Sequence, residues 1–110
     1  MRIIVTGGRH FTDREFLYRC LDSYDGVSEI IHGGASGADR LAGDWASDNN
    51  VPSIVFKAQW DIHGRAAGPI RNKLMAQYGA DLCLAFEGGR GTANMVKTAK
   101  DFLIPVQLAG

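Results

Sequence analysis

The stretch Leu82–Asn94, LCLAFEGGRGTAN, joins a short apolar run to a glycine-rich loop and then to a helix-patterned segment. Its first four residues are typical of a buried strand, and its glycines are Gly88, Gly89 and Gly91. Glycines let the backbone turn sharply and approach a ligand without obstruction from a Cβ atom. The helix that follows would direct unpaired N–H groups and the positive end of its dipole at the loop. The stretch therefore predicts a strand, an anion-binding turn and a helix.

The same arrangement of strand and glycine loop occurs twice earlier in the chain. The strand-like residues Arg2–Thr6 precede one loop, and Glu29–His32 precede the other. The residues of these two loops that we expect to contact a ligand are Gly7, Gly8, Arg9, Gly33, Gly34, Ala35 and Gly37. This clustering of glycines after strands favours a site for phosphate or for a nucleotide.

Strand-like and helical patterns alternate from one end of the chain to the other. The predicted strands are Arg2–Thr6, Glu29–His32, Ser53–Phe56, Asp81–Phe86 and Pro105–Leu108. Near-continuous apolar strands with helices between them are typical of a parallel sheet covered on both faces. We therefore predict an α/β protein of the three-layer Rossmann-like kind, with about five parallel strands and about four flanking helices. Residues 1–110 are expected to form one domain.

Four helical segments have recognisable starts, ends or buried faces. Thr12 and Glu15 have the spacing of a capping box at the first helix. The third helix begins at Gly68-Pro69, and the fourth is predicted over Thr92–Phe102. Residues 57–68 are too polar and glycine-broken to predict regular structure. The side chains expected to face the core are Phe16, Leu17, Cys20, Leu21, Tyr24, Leu41, Ala42, Trp45, Ala46, Ile70, Leu74, Met75 and Tyr78.

The glycine loops are expected to meet at one edge of the sheet. Crossovers between parallel strands are right-handed, so every loop that follows a strand lies at the same edge. In open α/β sheets, ligands bind at the carboxyl ends of the strands. The sequence therefore predicts one pocket lined by all the glycine loops.

Composition limits the partners that the chain could have. Lysine and arginine number 12, as do aspartate and glutamate, so no net charge draws the protein to nucleic acid or to a membrane. No apolar run approaches the roughly 20 residues that cross a bilayer. The two cysteines, Cys20 and Cys83, fit buried thiols of a reducing compartment. We therefore expect a cytoplasmic protein without a membrane or nucleic-acid partner.

Two common nucleotide motifs fail at named positions. The phosphate loop of NTPases needs a lysine and a hydroxyl residue after its last glycine, but Ala38 and Asp39 follow Gly37. The dinucleotide fingerprint needs glycine where His32 stands, and its acidic ribose partner would fall near Lys57. We expect neither ATP hydrolysis nor hydride transfer, and neither a cofactor nor a metal. The histidines, which share no metal-ligand spacing, are His10, His32 and His63.

Five ordered blocks, spread over almost the whole chain, carry a family resemblance. The blocks are Val5–Arg9 with Phe11-Thr12, His32–Ala35 with Gly37–Asp39, Trp60 with His63-Gly64, Ala67–Asn72, and Gly88–Asn94. This succession resembles the YspA-like, cpYpsA-related branch of the SLOG superfamily.

The resemblance implies a Rossmann-like fold that binds nucleotides or nucleotide-derived molecules such as relatives of ADP-ribose. The superfamily also contains cytokinin-activating phosphoribohydrolases, which cleave the N-glycosidic bond of nucleoside monophosphates, and DNA-processing proteins that bind single strands. Because relatives often pair through helices, the resemblance further implies a homodimer.

The match to the hydrolases holds for phosphate binding and fails for catalysis. Their motif Pro-Gly-Gly-x-Gly-Thr-x-x-Glu aligns from Glu87 to Met95, and Gly88, Gly89, Gly91 and Thr92 match its phosphate-binding part. Met95 stands at the position of the catalytic glutamate, and Glu87 replaces the proline. Arg71 matches the arginine that opens the third helix of that family.

These observations predict a nucleotide-like small molecule as the ligand. The loops 88–92 and 33–37 would donate N–H groups to phosphates, Arg71 and Arg9 would neutralise charge, and Asp39 or Glu87 would bind ribose hydroxyls. The loop 57–68 would close over the base, with Trp60 either packing or stacking. Further contacts are expected from Asn72, Arg90 and Thr92.

Two other functions stay open at this point. One is an N-glycosidase in which Glu87 or Asp39 replaces the missing glutamate and Arg71 assists; Asp61 is another acid that could reach the site. The other is a single-strand nucleic-acid binder, which the zero net charge disfavours.

Overall fold

The computed structural model describes residues 1–110 and contains a five-stranded, all-parallel sheet in the order β3-β2-β1-β4-β5. Its strands are β1 (Arg2–Thr6), β2 (Glu29–His32), β3 (Ser53–Val55), β4 (Leu82–Ala85) and β5 (Val106–Leu108). Its helices are α1 (Arg14–Asp22), α2 (Ala38–Asp48), α3 (Trp60–His63), α4 (Ala67–Tyr78) and α5 (Arg90–Asp101). The Rossmann-like α/β prediction is confirmed, and the four longer helices flank the sheet.

Two apolar layers cover the two faces of the sheet. Side chains of a strand alternate between faces, so Ile3 and Val5 pack with α1 and α2, while Ile4 packs with α4 and α5. The predicted core residues of α1 and α2 all lie in or against the first layer, and Trp45 is buried there as expected. None of the helices has the length and apolarity needed to cross a membrane.

Three local predictions were wrong. Asp13, not Thr12, caps α1, because its Oδ1 accepts the N–H of Phe16 at 3.1 Å. Glu15 instead pairs with Arg19 on the exposed side of the helix, at 3.5 Å. The segment predicted to be irregular forms α3 and a turn of 3-10 helix at Gly64–Ala66.

The buried face of α4 also differs from the prediction. Ile70, Leu74 and Tyr78 are each more than a third exposed, and only Met75 of the predicted set is buried. The buried residues of the helix are instead Ala67, Gly68, Asn72, Met75 and Ala76, and Asn72 hydrogen-bonds there with Asn94 of α5. The buried face thus consists of small residues, Met75 and one polar side chain, a combination that a pattern of large apolar residues does not reveal.

The strand order places a crevice between β1 and β4. The chain runs outward from β1 through β2 to β3, then returns to β4 on the other side of β1. Such a reversal separates the loops that follow the two central strands and is where ligands bind in doubly wound sheets. The two loops are tied together where the N–H of Gly8 donates to the carbonyl of Glu87 at 2.8 Å.

Candidate functional site

A cleft of about 1690 Å³ opens at the carboxyl edge of the sheet, over this crevice. Its volume exceeds the roughly 300–1,000 Å³ of ordinary small-molecule sites. The predicted site residues that line it are Gly7, Gly8, Arg9, Gly33, Gly34, Ala35, Asp39, Arg71, Asn72, Glu87, Gly88, Gly89, Arg90, Gly91 and Thr92. The glycine loops therefore meet in one cleft, as their positions after parallel strands predict.

Two residues expected near the ligand lie outside the cleft lining, Gly37 and Asp61. Gly37 has a φ of 77°, and a Cβ atom there would overlap the backbone of Gly8 and Arg9. A glycine is required at this position because the start of α2 packs closely against the loop after β1. Asp61 is exposed on α3.

The amino-terminal end of α5 presents a row of free donors. The N–H groups of Gly88, Gly89, Arg90, Gly91 and Thr92 donate to no other protein group. A Cβ atom at Gly89 or at Gly91 would meet nothing within 4 Å. Neither glycine is needed for packing, and both leave the backbone bare on the cleft side. Free N–H groups at the positive end of a helix dipole form an anion site.

Gly88 differs from its neighbours, because packing requires a glycine at this position. A Cβ atom there would overlap Oγ1 of Thr92 and would lie 2.7 Å from the N atom of Gly8. The glycine lets the loop after β4 touch the loop after β1, so it shapes the floor of the cleft.

The loop after β2 does not offer the free donors that we expected of it. The N–H groups of Gly33 and Ala35 donate to Oδ2 of Asp39, at 2.9 and 3.3 Å. The N–H of Gly34 donates to Nδ1 of His32 at 3.0 Å. The prediction that this loop would supply N–H groups to phosphate was wrong at these three positions, because side chains of the chain itself already accept the hydrogen bonds.

Burial shifts the pKa values of two ionisable side chains at this loop, Asp39 and His32. Burial raises the pKa of the Asp39 carboxyl, while the N–H groups of Ala35 and Gly33 and the charge of Arg71 oppose that rise. Burial, together with nearby Arg71, lowers the pKa of His32. His32 is therefore neutral at neutral pH, as its acceptor role at Nδ1 requires.

Arg71 joins two loops of the cleft. Its Nη1 donates to the carbonyls of Gly33 at 2.8 Å and of Phe56 at 3.3 Å. Its Nη2 has no protein partner, and the side chain lines the cleft. Burial lowers the pKa of this guanidinium, and Asp39 opposes the change. One edge of the guanidinium is thus fixed, and a nitrogen is left for a ligand.

Asn72 continues this network to α5. Its Oδ1 accepts from Nε of Arg71 at 2.9 Å. Its Nδ2 donates to Oδ1 of Asn94 at 2.9 Å and to the carbonyl of Gly91 at 3.3 Å. The amide is buried and its groups are engaged with protein, so its part in the site is to position Arg71 and the first turn of α5.

Basic side chains outnumber acidic ones around the cleft, although the chain as a whole is neutral. The basic residues of the lining are Arg9, Lys57, Arg65, Arg71 and Arg90, and the acidic ones are Asp13, Asp39 and Glu87. Lys57 and Arg65 belong to the loop 57–68 that was expected to close over the base, but neither was predicted individually as a ligand contact. The position of Lys57 directly after β3 could have revealed it, whereas no pattern marks Arg65 within a segment predicted to be irregular.

Trp60 lies at the cleft rather than in the core. The side chain is 56% exposed, and the far end of its indole lies 3.2 Å from the position of a Cβ atom on Gly68. Core packing of Trp60 is therefore excluded, and an aromatic surface is available at the rim.

The candidate catalytic residues differ sharply in their surroundings. Met95 is fully buried in the layer beneath α4 and α5 and does not line the cleft. Glu87 is exposed and its carboxylate has no hydrogen-bond partner. Cys83 is also buried in that layer, and burial raises the pKa of its thiol to about 12.

The sheet order, the cleft at the strand reversal and the bare amino-terminal end of α5 define a Rossmann-like protein with a cationic cleft. The sequence pattern of the YspA, cpYpsA-related SLOG family (YAcAr) matches residues 1–63. The Gene 61 protein of Mycobacterium phage D29 is 38% identical over 118 aligned residues, which cover 96% of this chain and 93% of that protein. The chain belongs to the YspA, cpYpsA-related SLOG family.

A solved structure shares the fold. The molybdenum cofactor binding protein from the phototrophic bacterium Rippkaea orientalis superposes with a TM-score of 0.72 and 22% sequence identity. The superposition covers 97% of this chain and 74% of that one.

Proposed function

We propose that the cleft binds a nucleotide or a nucleotide-derived ligand, such as a nucleoside monophosphate or an ADP-ribose-like molecule. The observation that carries this proposal is the row of unpartnered N–H groups from Gly88 to Thr92. These residues are exposed or half-buried, so their N–H groups are open to the cleft, and free N–H groups at the start of a helix favour an anion. The ligand phosphates occupy this end of the cleft.

Charge and shape support an anionic ligand larger than phosphate alone. Arg71 and Arg90 lie on the lining with side-chain donors free of protein acceptors. The cleft is much larger than an inorganic anion needs, and Trp60 offers a stacking surface at its rim. Family membership and the description of the R. orientalis protein as a cofactor-binding protein also support ligand binding.

Native mass spectrometry of freshly purified protein tests the proposal without a choice of ligand. A nucleotide that co-purifies should appear as an added mass, and mild denaturation should release it for identification. The same measurement on Gly89→Asp is the control, because a carboxylate beside the row of N–H groups would repel a phosphate while meeting no protein atom within 4 Å of its Cβ. Equal added mass on both proteins would place the ligand elsewhere.

Hydrolysis of the N-glycosidic bond is the second candidate, and one observation favours it. Glu87 is an unpaired carboxylate on the cleft lining, one residue before the row of free N–H groups. Met95 cannot serve as a base and is fully buried. Any cleavage would therefore use Glu87 or Asp39, and we propose binding without cleavage as the primary function.

A further inference from the structure

The two glycine loops that meet in the cleft differ in one respect. Oδ2 of Asp39 already occupies the N–H groups of Gly33 and Ala35 in the loop after β2. The N–H groups of the loop before α5 have no partner. The Asp39 carboxylate therefore accepts the N–H groups of the loop after β2, whereas no protein group accepts those of the loop before α5.

The second oxygen of Asp39 is unpartnered. The residue is only 6% exposed, and Oδ1 accepts no hydrogen bond from the protein. No fully enclosed side-chain polar atom lacks a partner in the structure, so Oδ1 keeps access to the cleft that Asp39 lines. A carboxylate oxygen accepts hydrogen bonds and donates none, so its ligand partner must be a donor.

A phosphate at this position would be disfavoured. It would face a carboxylate instead of free N–H groups, and like charges placed together in a poorly solvated site repel strongly. Arg71 does not offset this fully, because its single positive charge already interacts with the Asp39 carboxylate and a phosphate would add further negative charge. The two hydroxyl groups of a ribose are neutral, so the carboxylate does not repel them, and they can donate hydrogen bonds to Oδ1 of Asp39.

Resting on the nucleotide-binding function above, we propose that Asp39 makes the β2 end of the cleft a subsite for sugar hydroxyl groups and excludes a second phosphate from it. The ligand class is then a nucleotide whose phosphates all lie at the α5 end and whose ribose hydroxyls are unsubstituted.

Calorimetric titration with three probes tests this subsite. The probes are AMP, an adenosine bisphosphate with its second phosphate on a ribose hydroxyl, and the dideoxy analogue of AMP. Wild-type protein is expected to bind AMP about tenfold or more tightly than the bisphosphate, because of repulsion by Asp39. This order is opposite to what the basic lining alone would give. The dideoxy analogue should also bind more weakly than AMP.

Two variants distinguish repulsion by the Asp39 carboxylate from the effect of removing any one negative charge. Asp39→Asn is expected to reduce the preference for AMP over the bisphosphate to about threefold or less, since the repulsive charge is gone. Asp61→Asn removes an exposed carboxylate outside the lining and should keep the wild-type ratio.

The outcomes distinguish this inference from the proposed function. Wild-type protein that binds the bisphosphate as tightly as AMP, or the dideoxy analogue as tightly as AMP, would overturn the subsite and leave nucleotide binding intact. Failure of the wild-type protein to bind any of the three probes, or ADP-ribose in a parallel titration, would overturn both. If Asp39→Asn does not fold, the wild-type series alone decides.

Discussion

Arg71 and Asp39 hold Gly33 by its two polar groups. Nη1 of Arg71 donates to the carbonyl of Gly33 at 2.8 Å, and Oδ2 of Asp39 accepts its N–H at 2.9 Å. The two side chains form no salt bridge with each other. The two side chains therefore fix one backbone segment of the cleft wall, and Nη2 of Arg71 and Oδ1 of Asp39 have no hydrogen-bond partner in the protein.

Arg71→Ala should weaken both nucleotide binding and folding. We expect affinity for AMP to fall by roughly 1.5–3 kcal/mol, the scale of a charge-assisted hydrogen bond. The free energy of unfolding should fall by roughly 1–2 kcal/mol, because two carbonyls lose their donor. Arg90→Ala is the control, since Arg90 is exposed and its side chain has no protein partner. It should lower affinity and leave urea denaturation unchanged; unchanged stability in Arg71→Ala would refute the bridging role.

Gly91→Ala and Gly88→Ala should have opposite effects on stability. A methyl group at Gly91 meets no protein atom within 4 Å, and alanine is the better helix former by about 1 kcal/mol. The variant should be as stable as wild type or more so, yet bind AMP more weakly because the methyl crowds the N–H groups. At Gly88 the same methyl would overlap Thr92 and should cost roughly 1–3 kcal/mol.

Thermal denaturation and calorimetry of both variants measure these effects. Tight AMP binding by Gly91→Ala would show that the bare helix end is not the phosphate site.

His32 should make the stability depend on pH. Its pKa in the folded protein lies below the ordinary 6.5, so the neutral imidazole stabilises the fold fully above pH 6.5. That stabilisation is lost as the pH falls toward the lowered pKa. Urea denaturation between neutral and mildly acidic pH should show a loss that is smaller in His32→Gln and unchanged in His63→Gln, an exposed control. Identical pH profiles for wild type and His32→Gln would contradict this linkage.

Wild-type protein should bind nucleoside monophosphates without releasing the base. The position of the hydrolase glutamate holds Met95, which is fully buried. Incubation with a panel of monophosphates and ADP-ribose, followed by chromatography, would detect free base. Turnover that disappears in Glu87→Gln would instead identify Glu87 as the working carboxylate and establish the enzyme.

The sheet and the convergence of its loops could be predicted because they depend on strong local patterns. Apolar runs such as Ile3–Val5 and Leu82–Ala85 mark buried parallel strands, and chain chirality then places their loops on one edge. The glycines after these strands could be assigned to the site on the same reasoning.

The hydrogen-bond network of the site could not be predicted in this way. Nothing in the spacing of the residues shows that Asp39 accepts the N–H of Gly33, or that Asn72 is buried and donates to Asn94. These are contacts between residues brought together only by the fold. The same holds for Arg65, which lies on the cleft through a segment without an apolar period.

Calorimetric titration of wild type and Gly89→Asp with AMP and ADP-ribose tests the central claim most directly. Gly89 lies within the row of free N–H groups, and its Cβ position is open, so the new carboxylate should repel phosphate while the fold is kept. We expect saturable binding of at least one ligand by wild type and a loss of about tenfold or more in the variant. No binding by wild type, or equal binding by both proteins, would contradict it.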